Sequence, residues 1–252
     1  MGARLPERSA LIGERKFRES SRSVWRLIGL VGLLIVSVAL AGCMSWDDST
    51  YRFRMTVEVE TPEGLKTGSS VFEVGAGNKR KLTAEEGSRY LWERGEAVAV
   101  DLAPGKTLFA LLKTNAHFGD IASLSMQALD PTFTEHYDTV GTAARIKARD
   151  NVTSPAIVDP AIYPMLVTFG DIDDPTSVTL VDPDDLAATF GEGYALRRIT
   201  LQITDEPVTT GIEKRVGWIS GYRNRTFAGN RYARDNSLAD SLTSGFFTTE
   251  IE

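Results

Sequence analysis

The chain has 252 residues, 42% of them hydrophobic and 25% charged, a composition that excludes an intrinsically disordered protein. A single cysteine, Cys43, and two histidines, His117 and His136, exclude an intrachain disulfide and a zinc site built from several thiolates. The formal net charge of -6 is unevenly spread: residues 1–42 hold seven basic and three acidic groups, so the rest keeps 21 of 28 basic and 31 of 34 acidic residues, a net of -10. An acidic body of this kind lacks the footprint of a nucleic-acid binder, and no nucleic acid is expected as a partner.

The first distinctive stretch is Leu27 to Cys43, LIGLVGLLIVSVALAGC, with no charged residue between Arg26 and Asp47. A basic flank, an apolar core and small residues at the end make the layout of an export signal. Its last four residues, Leu40-Ala41-Gly42-Cys43, resemble the lipobox of bacterial lipoproteins. That resemblance implies that residues 1–42 are a signal peptide, that the Cys43 thiol receives diacylglycerol, and that its freed amino group takes a further acyl chain such as palmitate. Two or more acyl chains hold a protein stably on a bilayer, at roughly 0.8 kcal/mol per buried CH2. The membrane, through Cys43, is thus the expected partner, at the cell membrane or outer membrane with the mature domain facing the periplasm. Met44, where enterobacterial sorting rules place Asp for inner-membrane retention, favours the outer membrane. The same run has a second reading as an uncleaved anchor, since roughly 20 apolar residues span a bilayer. Both readings leave the basic flank in the cytoplasm and send everything after residue 47 outward.

Residues 43–50 read as a polar tether. Tyr51, Phe53, Met55, Val57 and Val59 then alternate with polar residues, the period of a half-buried strand. Thr61-Pro62-Glu63-Gly64 is a turn, and Lys66 to Val74 is the return strand of a hairpin. Residues 75–89 read as loop. Glu96 to Leu102 and Thr107 to Lys113 bracket Ala103-Pro104-Gly105-Lys106, a second hairpin. Asp120 is placed to cap a helix that ends before Pro131. From 138 to 163 the signal is mixed, with Pro155, Pro160 and Pro164 marking irregular chain. Met165 to Phe169 is an apolar strand. A short helix is expected with Asp182 as its cap, Pro183 in its first turn and Gly191 just past its end. Tyr194 to Thr204 is a second alternating strand, and Gly211 to Ile219 a further strand carrying Val216 and Trp218. The fold class is therefore α+β, β-rich, mainly antiparallel hairpins with two or three short helices. The expected organisation is a domain over 51–222 followed by a flexible tail over 223–252, from which Phe246-Phe247 docks back.

Two stretches, TPEGLKTGSSV at 61–71 and LVTFGDIDDPTSVTLVDPDDLAATFGEGYALRRITLQITDEPVTTGIE at 166–213, resemble segments of proteobacterial proteins, many of which carry signal peptides. The resemblance brings no assigned activity and no functional residues.

The chemistry-bearing residues form no catalytic constellation. Ala103-Pro104-Gly105-Lys106-Thr107 ends like a phosphate-binding loop, but Val100 stands where that motif needs its first glycine and a strand follows where it needs a helix. No G-x-S-x-G elbow is present, and neither histidine stands in a recognisable frame with a serine. Asp171, Asp173 and Asp174 are the candidate Ca²⁺ ligands, although they lack the glycine and distal glutamate of an EF-hand, and aspartates there also suit turn formation. Arg197 and Arg198 are expected to leave their strand on opposite faces. No cofactor and no catalytic residue are expected. The resulting reading is a lipid-anchored, non-enzymatic structural or binding module of the cell envelope, with an envelope protein as a second expected contact. The alternatives are an envelope-anchored carboxylate-dependent hydrolase and a calcium-stabilised interaction module.

Overall fold

The structure is a computed structural model and describes residues 49–78, 89–114, 119–133, 138–149, 154–232 and 234–249. The described residues all belong to one compact unit, Asp47–Glu252. Among them no helix is long and apolar enough to cross a membrane.

Strand β1, Ser49–Thr61, buries Tyr51, Phe53, Met55, Val57 and Val59 on one face and turns Arg52, Arg54, Thr56 and Glu58 to the other. At its end Gly64 takes φ +110 and the Thr61 hydroxyl donates to the Gly64 carbonyl at 2.7 Å, closing the turn into β2, Gly64–Asn78. The loop expected over 75–89 is corrected at both ends. Strand β2 continues through Gly75, Ala76 and Gly77 because β3, Arg89–Arg94, pairs with it there. Trp92 lies across Gly75, where a Cβ would stand 2.2 Å from the indole; the small residues make room for the ring.

Strands β4 (Val98–Ala103), β5 (Lys106–Thr114), β6 (Ala156–Ile157), β7 (Pro164–Phe169), β8 (Val178–Leu180) and β9 (Ala195–Ile203) complete two antiparallel sheets. The first has the order β3-β2-β1-β9-β6 and the second β4-β5-β7-β8. Among the described residues there are also four short α-helices: α1 (Ile121–Leu129), α2 (Thr139–Lys147), α3 (Leu186–Phe190) and α4 (Leu238–Ser241). The chain is thus α+β and β-rich, with antiparallel sheets.

The inward face of sheet one is covered partly by β4 and partly by α1 and α2. The sheets pack tightly at Gly68, where a Cβ would stand 2.1 Å from the Ala99 carbonyl oxygen. A backbone oxygen cannot swing aside as a side chain can, so Gly68→Ala has to push the sheets apart. We expect a loss of about 2 kcal/mol, read as a lower urea midpoint at unchanged slope.

The central strands of sheet two are buried on both faces: every residue of β7 is buried, and so are Leu108–Leu112 of β5. Strands buried on both sides read as unbroken apolar runs, which is why Thr107–Lys113 and Met165–Phe169 show no alternation. One covering layer comes from the end of the chain. Residues 223–249, expected as a flexible tail, place Phe227, Leu242 and Phe247 at no more than 1% exposure. Phe247 lies 5.5 Å from Phe109 and 5.9 Å from Phe169, centroid to centroid, and Phe227 lies 4.9 Å from Trp218. The polar residues between these anchors are organised by the buried Asp240 carboxylate. It accepts from Asn230 Nδ2 at 2.8 Å, Thr226 Oγ1 at 3.2 Å, the Asp235 amide at 2.7 Å and the Arg234 amide. These hydrogen bonds, led by Asn230, hold its pKa down to about 2.

Three further expectations change. The strand expected over Gly211–Ile219 is a pair of 3-10 turns, Ile212–Lys214 and Ile219–Tyr222; Ile212, Val216 and Ile219 are all buried at spacings of four and three, which is helical periodicity. Helix α3 is capped by Asp185, whose side chain accepts from the Ala188 amide at 3.0 Å. Asp182 instead closes a turn by accepting from the Asp184 amide. Lastly, Glu58 pairs with Arg198 and Val59 with Leu196, so Arg197 is an extra, bulged residue. A bulge brings its two residues to the same side. Arg197 and Arg198 therefore both reach Glu58, at 3.7 and 2.9 Å.

Candidate functional site

After β9 the chain crosses the outer face of sheet one. The Thr204 amide donates to the Arg52 carbonyl, Glu206 pairs with Arg54, and Thr209 exchanges hydrogen bonds with Val71: its amide donates to the Val71 carbonyl at 3.1 Å, and its hydroxyl accepts the Val71 amide at 2.8 Å. The strap thereby delivers Thr209–Glu213 beside the link between β3 and β4. The last described residues reach the same place, with the Gly95 amide donating to Thr249 Oγ1 at 3.0 Å and the Ala97 amide to the Phe247 carbonyl at 2.7 Å.

Between these segments lies a cleft of about 440 Å³, walled by Glu96, the Thr209–Glu213 strap, Ser220 and Thr248. This is within the size range of small-ligand sites. Its inner wall carries Glu96, only 6% exposed, whose Oε2 accepts the Ile212 amide at 2.8 Å. Burial raises the Glu96 pKa; the amides of Ile212 and Gly211 oppose the rise, and the Glu213 carboxylate adds to it. Glu96 thus fixes the strap as a cleft wall and presents a buried carboxylate to a cleft also lined by Thr210, Glu213 and Ser220.

A second, half-buried carboxylate lies elsewhere. Tyr51, Val74 and Glu93 form one row across β1, β2 and β3, and the row faces the start of α1. Glu93 Oε2 accepts the Ala122 amide at 2.8 Å, with Lys113 Nζ at 3.8 Å from its other oxygen. Burial drives the Glu93 pKa up to about 7, the Ala122 amide and Lys113 pull it down, and the negative charge of Asp120 adds to the rise. Tyr51 donates to or accepts from Ser125 Oγ at 2.7 Å, and burial pushes its phenol up. Glu93 does not line the cleft. Glu93 and Glu96 therefore do not face one substrate together, and the carboxylate that shares the cleft with Glu96 is the exposed Glu213.

Cys43, with Leu40, Ala41 and Gly42, and both histidines, His117 and His136, lie outside the described residues. Asp171, Asp173 and Asp174 sit in the β7–β8 turn, where their oxygens serve the chain itself. Asp171 Oδ1 accepts the Asp173 amide at 3.0 Å, and Asp174 Oδ1 accepts the Thr176 amide and hydroxyl at 2.9 and 2.7 Å. Among the described residues no group of three or more His, Cys, Asp or Glu side chains is placed to hold a metal ion. Lys106, at the end of the stretch resembling a phosphate loop, donates to the Phe190 carbonyl at 2.9 Å and lies over Tyr194, with Gly105 at φ +74 in a hairpin turn.

Sequence reasoning passed over Glu96, yet a signal was present. Val98, Val100 and Leu102 share its parity and all face the core, so the alternation extended back by two residues turns Glu96 inward. The strap and Thr248 carried no comparable mark, because they meet Glu96 from more than a hundred residues away. No family model, curated protein or solved structure matches the chain.

Proposed function

We propose that the protein is a lipid-anchored, extracytoplasmic binding module of the cell envelope, held on the membrane through Cys43 and taking its ligand in the Glu96 cleft. The observation that carries the anchoring is Leu40-Ala41-Gly42-Cys43 at the end of an uncharged apolar run. The binding role is supported by the cleft, whose buried carboxylate is tied to the Ile212 amide. A partner for this module is an envelope component, because the anchor holds the cleft at the membrane surface.

Membrane fractionation of the wild type and Cys43→Ala, with the mass of the N-terminal fragment, tests the anchor. The wild type is expected in the membrane fraction, beginning at an acylated Cys43 and lacking residues 1–42. The variant is expected to lose the acyl mass. A wild type that keeps residues 1–42, with the variant equally membrane-bound, would replace the lipid anchor with an uncleaved span.

A further inference from the structure

We infer that the Glu96 cleft takes a ligand bearing an organic ammonium group, with Glu96 as its counter-charge. The inference rests on the reading of this cleft as the ligand site. Burying a carboxylate is costly unless a cation or several donors compensate it. The neighbouring backbone supplies donors, with the Ile212 amide at 2.8 Å. Among the described residues, however, no lysine or arginine forms an ion pair with Glu96. Lys214 is near enough to be felt electrostatically, but it is not among the residues that wall the cleft. Of the other buried or half-buried carboxylates among the described residues, Glu58, Glu73, Glu93 and Asp130 each face a cation within 3.8 Å, and Asp120 is used as a helix cap, accepting the Ser123 amide at 2.7 Å. Asp240 has no such cation but draws donors from four residues. Glu96, with no ion-paired cation, lines a cavity of ligand size.

The rest of the wall fits the same chemistry. Glu213 brings a second carboxylate to the cleft, and Thr210 and Ser220 bring hydroxyls that accept N–H donors. An anion would meet two carboxylates there. A neutral polyol would find the hydroxyls but leave the Glu96 charge without a partner. An ammonium group satisfies the carboxylate and the hydroxyls together, and a body of net charge -10 after residue 42 draws cations toward it.

The test is titration calorimetry on the full chain in mild detergent, with 1,4-diaminobutane as probe and 1,4-butanediol as its uncharged counterpart. Saturable binding of the diamine and none of the diol are expected. Glu96→Gln keeps an oxygen for the Ile212 amide, so the cleft stays formed, but it removes the charge. Diamine affinity should fall about tenfold or more. Glu213→Gln should weaken it less, and Asp184→Asn, an exposed carboxylate away from the cleft, should leave it unchanged. Equal binding by wild type and Glu96→Gln, equal binding of diol and diamine, no saturable binding, or an equal loss in Asp184→Asn would each overturn the inference. Should Glu96→Gln lose its cooperative unfolding transition, Glu213→Gln against Asp184→Asn decides the matter by the same comparison. None of these outcomes depends on acylation at Cys43, which fractionation reads separately.

Discussion

Phe227→Ala is expected to destabilise the protein by about 4 kcal/mol in urea unfolding, the range for removing a buried phenylalanine ring. Phe227 is fully buried. Its ring lies 4.9 Å from Trp218, 5.6 Å from Phe247 and 5.8 Å from Tyr222, centroid to centroid. Its amide donates to the Leu242 carbonyl and the neighbouring Ala228 amide to the Ala239 carbonyl, so the backbone on either side cannot collapse freely into the space. Part of the lost energy is therefore a cavity that stays open. Limited proteolysis reads the same change by position: cleavage in the variant should begin between residues 223 and 249. A truly loose tail would behave otherwise, with the midpoint unmoved and wild type and variant cut alike.

Between pH 4.5 and 7 the protein is expected to lose up to about 3 kcal/mol of stability through Glu93 alone. Its pKa rises from an ordinary 4.5 to about 7 on folding. The folded state thus holds the proton more tightly than the unfolded chain. A raised carboxylate contributes stability that is complete below 4.5, declines as pH climbs and is gone above about 7, at 1.36 kcal/mol per unit. Glu93→Gln keeps an acceptor for the Ala122 amide and cannot ionise, so its stability should be flatter across this window and exceed that of the wild type at pH 8. Glu96 is shifted the same way, so the variant retains part of the slope. Asp240, lowered to about 2, has the opposite sign: its contribution is present above the ordinary aspartate value and lost as pH falls toward 2, outside the Glu93 window. Urea midpoints of both proteins from pH 4.5 to 8 check this. Parallel curves would show that Glu93 titrates normally.

What could be read from the residues depended on how locally each element is determined. The β1–β2 hairpin was legible because one face is wet, and the α1 cap because Asp120 reaches only three residues on, to Ser123. Strand β3 was not, since Tyr90-Leu91-Trp92-Glu93 carries no simple polarity pattern and depends on glycines in β2 for its seat. Helix α2 was hidden for a related reason. Its stability leans on Asp130, which accepts from Arg145 Nε at 2.8 Å and lies 3.5 Å from Arg149, a tie made outside the helix. The C-terminal layer was the largest departure, because four or five well-placed apolar anchors and one buried aspartate order a segment whose average composition is polar. The candidate site was the least legible part, since a cleft assembled from distant segments leaves no local spacing to find.

The place of β1 in its sheet has a mechanical consequence. It is the central strand, with ladders to β2 over its whole length and to β9 from Phe53 to Glu60. Tension on the chain ahead of Ser49 therefore enters the fold at the strand best secured on both edges. A pull along the strand axis loads both ladders in shear, where many bonds share the force, and the fold resists it far better than peeling from an edge such as β8.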